Sequence, residues 1–568
     1  EEQQFVKYEG SLHTGALEKW LKDDSKLKEL VSAPILVSTI DHLISATEGV
    51  RGGKQLPAML RLLTSDLVLD EPDDFDIADL HAVCRLMNWA GMLGTRVLLS
   101  SATLPPGLIQ ALFAAYLAGR KMWQASCGIN GRPVNICCAW FDEKDADATQ
   151  IYDGPGFRDA HAKFVARRAV MLAEKERLHF GRVASISSAS SAIQDVTERV
   201  AQTVHTQMLK LHQAHRQRHE SGKTVSLGLV RFANINPLVA VTKALIVIPS
   251  PEDVCIHYCV YHSRHPLAVR SDIEKRLDRA FTRHNELDFW NNEDIADALH
   301  NRPESHHLFV VLGTSVIEVG RDWDADWGII EPSSMRSIIQ FAGRIQRHRR
   351  NVPTSENLVI LRSNIKSLQK KAPAFCKPGF ETKEHLLNSH DICELIPIAD
   401  YRTINALPRI LSANNANKLA ELEHSRLSAE LMSSKSKHVV AAQWWRAPLS
   451  WNGWMQRQTP FRYSPLPEAV FFLHMDDEES EARFYSRTGD NERKAQGNFR
   501  REEVRCASGV ACWGEMDYQH VLLNLADKQS CEIANVGEKF AEVRVPVSEE
   551  DAVDDWRYHP WLGVFRNM

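Results

Sequence analysis

Three short apolar runs lie between residues 31 and 120, and a helical pattern follows each of them. The runs are Pro34–Thr39, Asp66–Asp70 and Arg96–Ser100. Apolar runs that alternate with helical stretches are typical of buried strands in a parallel α/β sheet. The sequence therefore predicts an α/β block here. Its acidic and polar residues cluster at the carboxyl ends of strands, where open α/β sheets bind ligands.

A second block with the same alternation begins after about residue 220. Its predicted strands are Ser226–Val230, Val254–Tyr258, Leu308–Leu312 and Leu358–Leu361. Helical patterns, among them Asp272–Thr282 and Arg336–Gln346, lie between these strands, and two long ones at about 157–177 and 190–218 precede them. Two α/β blocks of similar size in tandem predict a cleft between them.

The alternation of strands and helices ends at about residue 366. A charged helical stretch at about 408–435 leads to a tryptophan-rich segment, Trp444 to Trp454, and the remainder reads as a small mixed domain with acidic loops. These tryptophans recur with Leu, Pro and Phe, so packing in a core is favoured over stacking on nucleic-acid bases.

The composition is that of an ordinary globular protein, with 44% hydrophobic and 25% charged residues. No apolar run approaches the ~20 residues of a membrane span, so no membrane partner is expected. A net charge of −5 argues against a nucleic-acid coat protein but permits a motor with a local basic channel. The eleven cysteines include no paired CxxC motifs, and Cys137, Cys138, Cys255 and Cys259 are expected to be buried free thiols in a reducing cytoplasm.

The segment Leu67–Asp73 joins an apolar strand to the acidic sequence Asp-Glu-Pro-Asp. Two carboxylates at a strand end suit nucleotide hydrolysis, in which the first holds Mg²⁺ through water and the second orients and deprotonates the attacking water. These roles fall to Asp70 and Glu71. Taken alone, the segment is equally well explained as an acidic turn after a strand.

A second motif, Ser100–Thr103, follows the next strand about thirty residues later. Its small hydroxyl groups can relay the state of a nucleotide to a nucleic-acid path through hydrogen bonds. Ser and Thr are also favoured at helix N-caps, which is the alternative interpretation. The two motifs at this spacing are more specific together than either is alone.

Two motifs in the second block complete the pattern. Gln340–Arg347 places Arg344 and Arg347 three residues apart, on one face of a predicted helix. Their forked, permanently charged guanidinium groups suit a γ-phosphate that arrives from across a cleft. Arg349 and Arg350 are either part of a solvated face or contacts to a phosphate backbone.

The segment Gly313–Asp322 follows a predicted buried strand. Thr314 can hydrogen-bond a nucleic-acid phosphate, and Asp322 can meet a ribose or the two arginines. Gly320 allows a tight backbone turn between them.

The order of these motifs, DExD, SAT, TxxxExGxD and QxxGRxxR, resembles that of superfamily 2 helicases. The details resemble the helicase–nuclease effector of type I CRISPR interference, subtype I-F, over about residues 31–365. Val37–His42 is similar to that family's phosphate-contacting segment, with Ser38 in place of Gly. Tyr261–Arg264 is similar to its YHSRF segment, and Gly228–Asn234 matches the place of its fourth motif.

The resemblance implies two tandem RecA-like α/β domains, the first incomplete, followed by a helical linker and a small mixed C-terminal domain. The expected boundaries are 1–185, 186–365, 366–445 and 446–568. ATP and Mg²⁺ would bind between the two α/β domains, in contact with Asp70, Gly320, Asp322, Gln340 and Gly343. The catalytic residues would be Asp70, Glu71, Arg344 and Arg347, and Asp70 would hold the Mg²⁺ ion through water. The DNA contacts would come from Ser38, Thr39, Ser101, Thr103, Arg231, Asn234, Arg264 and Thr314.

The resemblance also implies a function in the cytoplasm. The family translocates 3′→5′ on single-stranded DNA that a guide-RNA surveillance complex has displaced, and cuts it with an HD nuclease domain that uses a divalent transition metal. Adaptation integrase subunits and phage-encoded inhibitor proteins are further candidate partners.

The sequence departs from the family pattern in two places. No GxxxxGK[ST] motif precedes residue 70, so the lysine and backbone cradle for the β- and γ-phosphates are missing. No HD nuclease is visible, since His390-Asp391 follows the motor and has no His/Asp set beside it. The chain starts at Glu1 rather than Met, so we expect a piece of a longer protein. A DEAD-like RNA helicase and a fragment that binds DNA or a partner without hydrolysis remain alternatives.

Two further sequence patterns resemble functional sites but are better explained by structure. Ser221–Thr224 looks like the end of a P-loop but precedes a strand, so a helix C-cap at Gly222 is expected. A histidine cluster on one helical face is expected to be solvated or at an interface rather than to hold a metal; it comprises His205, His212, His215 and His219.

Overall fold

In the computed structural model the chain forms two compact units. The structure describes residues 31–568 apart from 32, 49–51, 188–189, 413–415, 434–440, 447–453, 455–456, 463–466, 488–492, 496–498 and 547–555. The first unit comprises Glu1–Lys175, Ala406–Asn414 and Glu423–Tyr463, and the second comprises Glu176–Asn405, Asn415–Leu422 and Ser464–Met568. Within the described residues, no helix has both the length and the apolar character needed to cross a membrane.

The first unit combines helices with short strands up to residue 175. They are α1 (Asp41–Ile44), α2 (Gly52–Thr64), β1 (Leu67–Asp70), α3 (Ile77–Leu93), β2 (Val97–Ser100), α4 (Pro106–Cys127), β3 (Ile136–Phe141), β4 (Ala146–Ile151) and α5 (Gly154–Glu174). Strands β1 and β2 are parallel, with Asp70 opposite Ser100. Strands β3 and β4 form an antiparallel hairpin.

Helices α3 and α4 pack at unusually short range because glycines lie where they meet. A Cβ atom on Gly119 of α4 would lie 2.1 Å from the backbone oxygen of Asn88 in α3, and one on Gly91 of α3 would lie 2.4 Å from that of Tyr116. Backbone atoms cannot rotate away as a side chain can. This packing fixes α3, which directly follows the acidic motif.

We therefore expect Gly119→Ala to lower the free energy of unfolding by about 1–3 kcal/mol, since the added methyl group forces the two helices apart. Urea unfolding measures the change. Gly154→Ala is the control, because no atom lies within 4 Å of a Cβ atom there. Equal effects of the two substitutions would contradict the close packing.

The second unit is built around a larger sheet. Its elements up to residue 405 are β5 (Gly181–Ala184), α6 (Ile193–His215), β6 (Gln217–Arg218), β7 (Thr224–Arg231), α7 (Ile235–Ile246), β8 (Val254–Tyr261), α8 (Leu267–Phe281), α9 (Glu286–Trp290), α10 (Glu293–Asn301), β9 (His306–Gly313), β10 (Trp327–Ile330), α11 (Met335–Ala342), β11 (Leu358–Leu361), α12 (Ile365–Leu368), α13 (Ile392–Leu395) and α14 (Ile398–Arg402).

The remaining elements follow residue 406. They are α15 (Leu407–Ile410), α16 (Lys418–Met432), β12 (Glu468–His474), β13 (Arg483–Arg487), β14 (Arg493–Ala495), β15 (Arg500–Arg501), β16 (Val510–Cys512), α17 (Tyr518–Gln529), α18 (Ile533–Phe540), β17 (Glu542–Pro546), β18 (Trp556–His559) and β19 (Gly563–Arg566).

The large sheet has the strand order β16-β8-β9-β7-β10-β11-β5, and every pair in this order is parallel. Strand β6 adds an antiparallel partner to β7. All eight residues of β7 are buried, as expected for a strand covered on both faces. Smaller sheets, β14-β13-β12-β17 and β15-β18-β19, form the C-terminal region. The predicted α/β class is confirmed, and the sheets agree with tandem RecA-like domains.

One predicted strand, Pro34–Thr39, is wrong. The segment is irregular, and Ile35 and Val37 are 81% and 93% exposed. A strand is stabilised by backbone hydrogen bonds to a neighbour, and within the described residues this segment has none. An apolar sequence alone is therefore not sufficient for a strand. Four strands of the large sheet were not predicted, namely β5 and β16 at its two edges, the short β6, and β10 between β7 and β11.

Candidate functional site

The acidic motif begins at the carboxyl end of β1. Asp70 is exposed there. The backbone N–H of Glu71 donates to the carbonyl of Ser100 over 2.7 Å. Glu71 has φ 46° and ψ 53°, in the left-handed region that non-glycine residues seldom occupy. Such strain is common at functional sites, where it fixes the direction of a side chain.

The half-buried carboxyl group of Glu71 lies in an acidic environment. Burial is the main cause that raises its pKa, and the negative charge of Asp73 raises it further. A carboxylate with a raised pKa is a stronger proton acceptor, which is the property that a general base needs. Carboxylate oxygens of Glu71, Asp73 and Asp74 lie within 4.8 Å of one another.

Asp73, the last residue of the motif, is the centre of a buried network. It accepts hydrogen bonds from Ser101 Oγ at 2.6 Å, Thr103 Oγ1 at 2.7 Å and Arg409 Nη1 at 2.8 Å. Arg409 also donates to Glu423 through Nε at 3.1 Å and Nη2 at 2.8 Å. Asp73, Arg409 and Glu423 are 3%, 1% and 1% exposed. The DEPD and SAT motifs are thus joined through one carboxylate.

The charge state of Asp73 follows from these contacts. Burial alone would raise the pKa of its carboxyl, but the Arg409 charge and the hydroxyl hydrogen bonds hold that pKa below its ordinary 3.8. Asp73 is therefore ionised at neutral pH. Its contribution to stability is present above pH 3.8 and is lost as the pH falls through the lowered pKa of the folded state.

The predicted DNA contact of Thr103 is wrong. Its side chain is buried, donates to Asp73 and accepts from Arg409 at 2.8 Å. A relay through Asp73 fits these bonds, whereas a direct contact to DNA does not. Ser101 is half-buried and also bonds Asp73. The sequence did not reveal the role of Arg409, since it lies 336 positions from Asp73 and belongs to no recognisable motif.

In the second unit, Arg231 at the end of β7 is fully buried. It donates to the Glu318 carboxylate at 3.1 Å, the Ser337 hydroxyl at 3.0 Å and the Glu331 carbonyl at 3.1 Å. The predicted contact of Arg231 to DNA is therefore wrong, because a desolvated guanidinium with three partners is not available to a phosphate. Arg231 instead holds Glu318, which lies in the Gly313–Asp322 segment.

The two arginines of the GRxxR motif do not share a helix face, contrary to prediction. Helix α11 ends at Ala342. Ile345 then forms a bridge with Ala325, whose N–H donates to the carbonyl of Arg344, and Gln346 turns the chain with φ 53°. This pairing with a distant segment stops the helix, which the local pattern could not reveal.

Each arginine instead makes its own contact. Arg344 donates through Nε and Nη2, at 3.1 and 2.8 Å, to the carbonyl of Glu318. Arg347 is 44% exposed and donates to Asp322 at 2.7 Å, as predicted for Asp322 and one of the arginines. The hydrogen bond from His348 and the charge of Arg347 lower the pKa of Asp322 to about 2. Gly320 has φ 65°, which confirms the predicted turn.

Neither interpretation of Arg349 holds. It binds Asp324 at 2.8 Å and Asp326 at 2.7 Å, and Arg283 binds Asp326 at 2.9 Å. Both aspartates are buried, so this is a structural ion network. Arg350 is exposed.

The other predicted nucleic-acid residues follow three neighbouring strands. Asn234 comes after β7, Arg264 after β8 and Thr314 after β9. These strands are parallel neighbours, so the three residues follow the same carboxyl ends of the sheet. Asn234 donates to the Lys377 carbonyl at 2.8 Å, and the half-buried Arg264 donates to Asn236 at 3.0 Å. Thr314 is 6% exposed. Ser38 and Thr39 of the first unit are exposed, and Gln340 and Gly343 are half-buried.

The other sequence patterns are structural. Gly222, with φ 86°, lies in the turn of the β6–β7 hairpin, so the predicted helix C-cap is wrong. Helix α6 ends at His215, so His219 lies beyond the helix and does not share a face with the other three histidines. His212 is buried against Ser226 at 2.8 Å rather than solvated. His390 bonds Glu381 at 2.9 Å.

Two expectations about apolar side chains are partly confirmed. Cys255 and Cys259 are buried, whereas Cys137 is exposed and Cys138 is half-buried. Trp444 packs in the first unit against Trp89, with ring centroids 5.5 Å apart. Trp454 is 50% exposed, and Trp451 lies outside the described residues.

Comparison with known proteins identifies relatives for both parts of the second unit. Residues 224–350 match the family "CRISPR-associated nuclease/helicase Cas3, C-terminal". Residues 468–566 match the family "CRISPR-associated Cas3 subtype I-F/YPEST-like, C-terminal domain". A CRISPR-associated nuclease/helicase Cas3 subtype I-F/YPEST from Pectobacterium atrosepticum is 49% identical over 99% of this chain and 52% of that protein.

The corresponding Pseudomonas aeruginosa protein is 41% identical, again over 99% of this chain and 52% of its own length. The crystal structure of T. fusca Cas3 aligns with 97% of this chain and 55% of that chain, at 14% identity and a TM-score of 0.49. The chain thus spans about half the length of the curated relatives it matches. Along 99% of its length the chain is therefore similar to about half of a subtype I-F/YPEST Cas3 nuclease/helicase, and residues 224–350 and 468–566 match Cas3 C-terminal families.

Proposed function

We propose that this chain is the motor part of an ATP-dependent single-stranded-DNA helicase that acts in CRISPR interference in the cytoplasm. The observation that carries the proposal is Glu71, a strained, half-buried carboxylate with a raised pKa at a strand end. It lies in a chain that is 49% identical to a Cas3 nuclease/helicase. The 3′→5′ direction of translocation is part of the proposal.

The residues of the first unit suit ATP with Mg²⁺. Mg²⁺ prefers oxygen ligands and keeps several waters, and Asp70 offers an exposed carboxylate for such a hydrated ion. When bound, the ion supplies charge neutralisation at the phosphates. Glu71 would orient the attacking water and accept its proton. Asp73 would hold Ser101 and Thr103 in register with that carboxylate.

The residues of the second unit would respond to the phosphate charge. Arg347 is exposed enough to leave Asp322 for a phosphate. Arg344, with two bonds to the Glu318 carbonyl, would report phosphate binding to the buried Arg231–Glu318 pair. Gly320, Gln340 and Gly343 complete the proposed nucleotide contacts. Asn234, Arg264 and Thr314 at the sheet edge, with Ser38, Thr39 and Ser101 of the first unit, form the proposed contacts to DNA.

Partners follow from the same proposal. A guide-RNA surveillance complex would present the displaced strand, and the names of the relatives as CRISPR-associated nuclease/helicases support this. An HD nuclease domain with its divalent transition metal would cut the DNA, and no such domain is visible in this sequence. Adaptation integrase subunits and phage-encoded inhibitors are further proposed partners.

The test compares ATP hydrolysis by this chain with that by a protein of the relatives' full length that contains it. We expect the longer protein to hydrolyse ATP when single-stranded DNA is added and to unwind 3′→5′. This chain, which lacks a GxxxxGK[ST] motif, should bind DNA with little turnover. Stimulation by RNA instead of DNA would support an RNA helicase. DNA binding without turnover by the longer protein would support a non-hydrolysing module.

A further inference from the structure

Three side chains with metal-binding atoms face one another on the large sheet of the second unit. Cys255 and His257 lie two residues apart on β8 and so point to the same face. His307 on the adjacent strand β9 is the register partner of Cys255. One ligand atom from each of the three lies within 4.8 Å of the other two. Their exposed fractions are 0%, 7% and 0%.

The two imidazole rings are already spaced as ligands of one ion. His257 Nε2 and His307 Nδ1 are 3.2 Å apart and share a hydrogen bond, which an ion bound to both nitrogens would replace. Two nitrogens bound at ~2.0–2.1 Å in a tetrahedral zinc site lie ~3.3 Å from each other. The ring of His257 is stacked on Phe309 with centroids 4.3 Å apart, which fixes its orientation. Little rearrangement is therefore needed to bind an ion.

The surroundings contain polar atoms that have no partner. His307 Nε2 and Glu304 Oε2 are shielded from solvent and make no hydrogen bond. Buried polar atoms without partners are rare and require an explanation.

We propose that Cys255, His257 and His307 bind one zinc ion. A thiolate and two imidazoles favour zinc over Mg²⁺, which prefers oxygen ligands. The thiol of Cys255 releases its proton to solvent on binding. The three side chains are at most 7% exposed, so the ion is structural rather than open to a substrate.

The proposed zinc ligands are separated from the motor residues. They lie at the amino-terminal ends of β8 and β9, whereas Arg264 and Thr314 follow the carboxyl ends of the same strands. Zinc would therefore connect the two strands at their amino-terminal ends, whereas the proposed DNA contacts follow their carboxyl ends. The inference does not depend on the proposed function.

The test uses the chain after treatment with a chelator, followed by titration with Co²⁺ and then Zn²⁺. We expect one Co²⁺ per chain, an absorption band from charge transfer between thiolate and cobalt, and its loss after one equivalent of Zn²⁺. Cys255→Ser should abolish the band and weaken zinc binding by more than the ~10–100-fold that loss of an outer partner costs. Cys259→Ser is the matched control, since Cys259 is buried on the same face of β8.

Three results would overturn the proposal. The first is the absence of cobalt binding by the unmodified chain, a result that needs no variant to fold. The second is unchanged zinc affinity in Cys255→Ser. The third is cobalt binding that shows no charge-transfer band and is lost in His284→Asn. This result would place the ion at His284, Asp322 and His348, whose ligand atoms also converge.

Discussion

Replacing Arg409 with Met is expected to lower the free energy of unfolding of the first unit by about 3–5 kcal/mol. The substitution leaves the carboxylates of Asp73 and Glu423 without their shared cation, and both are at least 97% buried. Two buried negative charges then repel each other in a medium of low dielectric constant. Thermal and urea unfolding monitored by circular dichroism measure the loss.

Two variants separate this effect from a general loss of arginine. Arg96→Met removes an ion pair with Asp66 whose side chains are 85% and 52% exposed, and should cost far less stability than Arg409→Met. A triple variant, Asp73→Asn with Arg409→Met and Glu423→Gln, removes every charge and should recover much of the lost stability. If Arg409→Met were no more destabilising than Arg96→Met, the network would not be the buried hub that its geometry indicates.

Replacing Glu71 with Gln in a protein of the relatives' full length is expected to lower kcat for ATP hydrolysis by about 100-fold to 10,000-fold. Gln retains the shape of the side chain and its hydrogen bonds but cannot accept the proton of the attacking water. KM for ATP should change little, because binding of ATP does not require proton transfer. Steady-state hydrolysis in the presence of single-stranded DNA separates the two constants.

Asp66→Asn, at the amino end of the same strand, is the matched control and should leave kcat unchanged. Because the pKa of Glu71 is raised, its carboxylate becomes protonated at a higher pH than that of an ordinary glutamate. We expect kcat to decline as the pH falls through that raised pKa, and the decline to be absent in Glu71→Gln. Full turnover by Glu71→Gln would show that another group accepts the proton.

The strands that carry the motifs were predictable because the signal is local. The apolar runs ending at Asp70 and Ser100 form β1 and β2 in register, so the two motifs lie side by side as their spacing indicated. The same holds for the four predicted strands of the large sheet. In those four strands of the large sheet, burial on both faces selects a continuous apolar sequence, which can be read without the rest of the chain.

The features that the sequence did not reveal depend on distant partners. Helix α11 stops because Ile345 pairs with Ala325, although the apolar pattern continues to Gln346. Arg231 follows a strand in a recognised motif, yet its orientation into the interior depends on Glu318, 87 positions away. Pro34–Thr39 has a strand-like sequence without a pairing partner among the described residues. Each outcome was decided by a contact that local periodicity does not encode.

The position of β16 has a consequence for synthesis of the protein. This strand covers the edge of β8 but is made about 250 residues later. At the ~5–20 residues per second of translation, the edge of β8 stays open for roughly 12–50 s on the ribosome. An unpaired strand edge is a template for aggregation. The nascent chain is therefore most vulnerable in this interval, and chaperone demand in the cell should depend on how soon β16 leaves the exit tunnel.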